Sequence, residues 1–166
     1  MNEIDLGGWS SNWAWGLPLI VLTMVIHVCG LGFIHERVTN AMAGATQRRG
    51  FVARFALVVS IAALLATGLH GLEGGIWGVA YRFLGALPNF RMAMLYSLSA
   101  MTTYGHATLY LAAHWQLMGA LEALDGMLLF GLTTAFLFAM IQSAWPPGSR
   151  IKLVRMAAWG APSGTN

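Results

Sequence analysis

Long apolar runs alternate along the chain with shorter polar interruptions, and the length of each run predicts what it can become. Residues 17–34 form the first run, with Pro18 near its start and Trp9, Trp13 and Trp15 before it. Proline is tolerated in the first turn of a helix, and indoles suit a membrane interface. A polar stretch over 35–49, interrupted by Asn40, Gly44, Thr46 and Gln47, leads to a second apolar run over 51–72. The third starts near Trp115, continues to about Ile141 and stops before Pro146-Pro147. A membrane helix needs about 20 apolar residues at about 1.5 Å rise each, so the pattern predicts three spans.

The chain between the second and third runs is of another kind. Residues 73–90 contain Gly74-Gly75, Trp77, Tyr81, Arg82 and the break Leu87-Pro88-Asn89, which predicts an interfacial segment and a turn. Residues 91–101 then favour helix but supply roughly half the length that a crossing requires. They are followed by Thr102-Thr103-Tyr104-Gly105-His106 and a tail of small residues. The economical structure is a half-helix that dips into the membrane and returns as extended chain. Irregular backbone at that depth persists only when it is buried in protein or faces water, so a central cavity or pore is expected.

Composition strengthens the membrane reading and narrows the rest. With 57% hydrophobic residues, 9% charged and a mean hydropathy of +0.64, the polar surface is too small to cover a water-soluble globule. The net charge of +3 implies no nucleic-acid partner; its placement is more informative. Of nine basic residues, Arg37, Arg48, Arg49 and Arg54 flank the first loop and Arg150, Lys152 and Arg155 follow the last run, leaving Arg82 and Arg91 elsewhere. The bias puts that loop and the C-terminus in the cytoplasm and the N-terminus outside, in an integral protein of a bacterial-type cytoplasmic membrane. The first run lacks the basic start of a cleaved leader and is expected to stay attached. Cys29 is the single cysteine, which excludes an intrachain disulfide.

Two motifs carry a family likeness. His70-Gly71-Leu72-Glu73-Gly74 closes the second run, and Tyr96-Ser97-Leu98-Ser99-Ala100-Met101-Thr102-Thr103 follows on the half-helix. Together with Gly126 and Gly131 in the third run, they make residues 51–142 resemble the pore module of the potassium-channel superfamily. The resemblance implies an outer helix, a pore helix, a filter and an inner helix, assembled as a homotetramer around a cation path. It implies an N-terminal helix and cytoplasmic loop over 1–50, the pore module over 51–145 and a short cytoplasmic tail over 146–166. Thr102, Thr103, Tyr104, Gly105 and His106 would be the ion pathway, with monovalent or divalent cations as permeant ions and no bound cofactor. Gly126 or Gly131 would be the gating hinge, and Glu73, Glu122 and Asp125 would support the filter or set the cavity charge.

The filter departs from the family pattern Thr-Val-Gly-Tyr-Gly. Read without a gap, Thr103-Tyr104-Gly105-His106-Ala107 puts alanine in place of the second glycine, where a left-handed conformation costs about 1–2 kcal/mol. Read with a two-residue deletion, Tyr104-Gly105-His106 ends a shorter filter. Both readings imply a cation channel with weak or altered potassium selectivity, or a channel-like protein that conducts little.

The remaining polar residues keep other readings open. Glu122 and Asp125 lie three apart and share a helix face, and charge at membrane depth usually faces a partner or a cavity. Glu122 suits a brace behind the half-helix, toward Thr102, Ser99 or Tyr96, whereas Asp125 would repeat as a carboxylate ring in a tetramer. His27, His70, His106 and His114, with Glu73 one turn from His70, supply the rival reading of a membrane metal- or haem-binding electron-transfer subunit. His106 beside a filter would also sense protons. The ten methionines are scattered and suit packing, and no nucleotide loop, nucleophile triad or zinc-protease motif points to an enzyme.

Overall fold

The computed structural model describes residues 6–43, 51–105 and 108–144. Four α-helices occur among them, and no strand: α1 (Leu6–Met42), α2 (Phe51–Phe83), α3 (Phe90–Met101) and α4 (Gln116–Ala144), the last preceded by a 3-10 turn at Ala113–Trp115. Three of the helices, α1, α2 and α4, are long and apolar enough to cross a membrane, as expected of an integral membrane protein. The tail over 146–166, His106, and Arg48, Arg49, Arg150, Lys152 and Arg155 lie outside the described residues.

Two of the long helices, α1 and α2, outrun the lengths expected of them, while α4 keeps close to its expected bounds. The first is continuous from Leu6, so Trp9, Trp13 and Trp15 belong to it and Pro18 sits inside it, and it runs on to Met42 through the stretch read as polar. The second passes through Gly74-Gly75 to Phe83, where an interfacial segment was expected from residue 73. Its buried residues explain the continuation: His70, Glu73, Gly74, Trp77, Gly78 and Tyr81 recur every three to four positions and form one packed stripe. Burying Trp77 and Tyr81 on that stripe outweighs the roughly 1 kcal/mol that each glycine costs in a helix.

The end of α2 is a Schellman cap. Gly85 is left-handed (φ +67°), its N–H reaches the Arg82 carbonyl at 3.3 Å, and the Ala86 N–H reaches that of Tyr81 at 2.9 Å. Pro88 follows, and Asn89 caps α3 by accepting the Met92 N–H on Oδ1 at 2.9 Å. These two caps confine the reversal between α2 and α3 to a few residues. Beyond α3, the Ala112 N–H donates to the Ala86 carbonyl at 3.2 Å, tying the returning chain to that same turn.

The α2–α4 pair is the centre of the fold, with α1 and α3 each packed on both of its members and not on one another. Two apolar clusters result. One gathers Trp77, Tyr81, Leu87, Ala93, Leu111, Trp115, Met118 and Leu121 around α3; the other gathers Leu31, Ile34, Val38, Ala62, Ala66 and Met140 at the opposite end. Between them, in chain position on every long helix, lie the buried polar residues Thr23, His27, His70, Glu73, Glu122, Asp125 and Thr133. Large apolar side chains such as Val21, Leu64 and Leu128 cover the outside, where lipid is their natural solvent.

Gly126 and Gly131, the expected hinge positions, have different surroundings. A Cβ on Gly126 would lie 2.6 Å from the Met101 Cα, so this glycine lets the end of α3 rest directly on α4. Gly131 faces open space, and α4 runs unbroken through both. Gly126→Val is therefore expected to destabilise the fold by more than about 2 kcal/mol, as for other overpacked contacts, whereas Gly131→Ala should raise stability by about 0.5–1 kcal/mol. Thermal unfolding of the two variants in detergent checks this contrast.

Candidate functional site: the end of the half-helix and the polar layer behind it

A helix of twelve residues cannot cross a bilayer, and α3 instead ends against α4 at Met101. Its last carbonyls meet a second Schellman cap: the Thr103 N–H donates to Ala100 at 3.0 Å and the Tyr104 N–H to Ser99 at 2.9 Å. The left-handed residue of this cap is Thr103 (φ 56°), where glycine is the usual choice, and Gly105 is left-handed again (φ 72°). A β-branched residue in that region is strained by about 1–2 kcal/mol, which the packing on both sides of the cap must hold.

The segment that follows α3 lies open on the surface. Thr102, Thr103, Tyr104 and Gly105 are all exposed, Tyr104 by 84%. The Thr102 hydroxyl turns back to the Leu98 carbonyl at 2.7 Å. Beneath the segment, Met101, Thr102, Thr103, Met127 and Phe130 line an open cavity of about 360 Å³. Thr102 to Gly105, expected together as an ion pathway, therefore form one contiguous exposed stretch.

Behind α3 the carboxylates expected to support it are fully buried. Glu122 accepts a hydrogen bond from the Tyr81 hydroxyl at 2.6 Å on Oε2 and is bonded through Oε1 to Ser97, whose hydroxyl also lies 2.7 Å from the Gly74 carbonyl. One carboxyl thus joins α2, α3 and α4. Its partners are Ser97 and Tyr81 rather than Thr102, Ser99 or Tyr96, because the face of α3 turned toward α4 is set by Ala93 and Ser97, one turn apart. Tyr96 meets the assembly through its ring, edge-on to Tyr81 at 5.5 Å.

Asp125 is placed inside the chain instead of beside a cavity. Its Oδ2 accepts from the Thr23 hydroxyl at 2.7 Å and from the Trp77 indole N–H at 3.1 Å, so it links α1, α2 and α4. One helical turn away from Thr23 is His27, and here the structure assembles residues that the sequence keeps far apart. His27 Nδ1 lies 2.8 Å from Glu73 Oε1, and His70 Nδ1 lies 3.2 Å from Glu73 Oε2. Both Nε2 atoms lie 3.1 Å from the Thr133 hydroxyl oxygen. The four residues form a closed ring between the two apolar clusters, with Phe130 stacked on the outer face of His70 at 4.1 Å.

His114 stays apart from this group and contributes its carbonyl, which accepts from Asn12 Nδ2 at 2.6 Å, while Asn12 Oδ1 accepts the Met118 N–H at 2.8 Å. Asn12 thus satisfies an N–H in the first turn of α4 from more than a hundred residues away. Thr23, Asn12 and Thr133 went unrecognised as site residues. The available signal was spacing: Thr23 and His27 lie one turn apart in an otherwise apolar run, as do His70, Glu73 and Trp77. Comparison with family models, with curated proteins and with solved structures finds no match for the chain.

Two substitutions separate strain from bracing. Thr103→Gly should relieve the left-handed cap and stabilise the protein by about 1 kcal/mol. Glu122→Leu, which leaves the Ser97 and Tyr81 hydroxyls without their buried partner, should cost about 2–4 kcal/mol, and Glu122→Gln less. Unfolding midpoints in detergent give both values.

Proposed function

We propose that the chain is one wall of an oligomeric cation channel related in design to the potassium-channel superfamily, with weak or altered potassium selectivity. The observation that carries this reading is the pairing of a short helix, braced along one face, with an exposed Thr102–Gly105 segment at its C-terminal end. A helix C-terminus directs the negative end of its dipole outward, which favours cations over anions. Thr103 and Gly105 both lie in the left-handed region, so the backbone here leaves the regular helical direction, and its carbonyls would serve as ion ligands.

A single copy offers one side of such a path. Closure requires cyclic symmetry, and four copies is the number that the family resemblance implies. In that arrangement the exposed Thr102–Gly105 segments would converge on the axis, with α4 as the inner helix and α2 as the outer one. The first helix would stand behind, bonded to the module through Asp125 and the His27 ring. Permeant ions would be held by threonine hydroxyls and backbone carbonyls in place of water. The orientation with N-terminus outside follows from the positive-inside bias and belongs to this proposal.

Cation flux from liposomes containing the purified protein tests the reading, with potassium, sodium and calcium gradients compared. Gly105→Pro cannot adopt a positive φ and is expected to reduce flux at least tenfold while the oligomer stays intact. Thr103→Gly should change the ranking of the ions even as it stabilises the fold. Intact wild-type oligomers that pass no cation at any voltage or pH would overturn the channel reading.

A further inference from the structure

The ring formed by His27, Glu73, His70 and Thr133 does not close as hydrogen bonds alone. With His27 Nδ1–H donating to Glu73 Oε1, one His Nε2–H can donate to the Thr133 oxygen and the Thr133 hydroxyl can donate to the other. The remaining junction is His70 Nδ1 with Glu73 Oε2. These atoms are 3.2 Å apart, yet the ring N–H direction misses the oxygen, and both are left without a hydrogen-bond partner although both are buried. Two lone-pair atoms facing each other in an apolar surrounding call for a cation between them.

We propose that His27, His70 and Glu73 bind one divalent first-row transition-metal ion. Their ligand atoms lie within 4.8 Å of one another. Two donors sharing a tetrahedral ion at bonds of about 2.0–2.1 Å stand roughly 3.3 Å apart, close to the 2.8 Å and 3.2 Å found between each imidazole and the carboxylate. Two imidazoles and one carboxylate suit zinc, iron, cobalt or nickel better than magnesium or calcium. With the metal on both Nδ1 atoms, each Nε2 carries its proton and donates to the Thr133 oxygen, which has two lone pairs for them. One assignment then satisfies the orphaned atoms and fixes both tautomers. The bound charge of the ion is offset by Glu73, with Asp125 and Glu122 as further carboxyl groups in the same buried layer.

The site joins α1 to α2 directly and to α4 through Thr133, so its role is to clasp the N-terminal helix to the rest of the bundle. It does not depend on conduction: its ligands are separate from Thr102–Gly105, and Phe130 stands between His70 and the cavity below that segment. Elemental analysis of the untagged, full-length protein is the first test, followed by chelation and reloading with cobalt(II). About one metal ion per chain is expected, and cobalt should produce the visible absorption of a four- or five-coordinate nitrogen and oxygen site. His70→Gln and Glu73→Gln should each weaken cobalt binding by at least tenfold, and His35→Gln should leave it unchanged. Thr133→Val should weaken it about ten- to a hundredfold, with Thr133→Ser restoring it.

Where a histidine variant does not fold, the wild-type cobalt spectrum and the Thr133 pair still decide. Wild-type protein that carries no metal and takes up no cobalt overturns the proposal. So does binding that is indifferent to the Thr133→Val change. A ring closed by a proton instead would reveal itself as an unfolding midpoint that follows pH and ignores added metal, which also overturns it.

Discussion

Lipid supplies no hydrogen bonds, so a carboxyl, imidazole or indole that an apolar helix carries into it has to find its partners within the protein. In this chain that requirement is concentrated in one layer. Thr23 and His27 come from α1, His70, Glu73, Trp77 and Tyr81 from α2, Ser97 from α3, and Glu122, Asp125 and Thr133 from α4. Apolar packing above and below the layer holds the helices together, but it is tolerant of rotation and sliding because one aliphatic contact resembles another. A carboxylate that must meet an indole and a hydroxyl from two different helices has no such freedom. The register of the four helices is therefore set by Glu122 and Asp125, each of which contacts two other helices, and by Glu73, which meets His27 of α1 and His70 of its own helix.

The same layer explains how a helix too short to span can be held in place. α3 has twelve residues, and isolated helices of that length are marginal. Its stability comes from outside: Asn89 caps one end, Ser97 is gripped by Glu122 and the Gly74 carbonyl, and the absence of a side chain at Gly126 seats the other end on α4. These constraints fall on one face and at both termini, so the chain emerging at Thr102 has little room to move. Strain at Thr103 is sustainable for that reason.

Much of the architecture was legible in the chain, because run length and the positions of glycine, proline and asparagine carry direct physical meaning. Three spans, the short helix over 91–101 and the turn at Leu87-Pro88-Asn89 all follow from that grammar. The helix ends were less legible. Gly74-Gly75 reads as a break by local propensity, and only the stripe of Glu73, Trp77 and Tyr81 packed against neighbours overrides it. For the site, the buried carboxylates stood out by cost alone, since charge in an apolar run demands an explanation. Their partners did not. Which helix Asp125 would meet depends on α1 lying against α2 and α4, a long-range packing outcome with no local signal, and its bonds to Thr23 and Trp77 come from that packing.

That outcome changes what the first helix is. Taken by run length, residues 17–34 are an extra span ahead of a self-sufficient module. In the structure, α1 brings Asn12 to the start of α4, Thr23 to Asp125 and His27 to Glu73, three contacts spread over four turns and each made to a buried polar group. Removing α1 would strand the Met118 N–H and weaken the satisfaction of two carboxylates in a medium that cannot replace what is lost. The chain from Phe51 onward is thus incomplete in its hydrogen bonds, and α1 is the element that completes them. A helix so committed also transmits force: displacement of α1 acts on Asp125 and Glu73, and Glu73 sits next to Gly74, whose carbonyl holds Ser97 of α3. The path from α1 to α3 therefore runs through the His27–Glu73 bond, the chain itself from Glu73 to Gly74, and the bond from Ser97 to the Gly74 carbonyl.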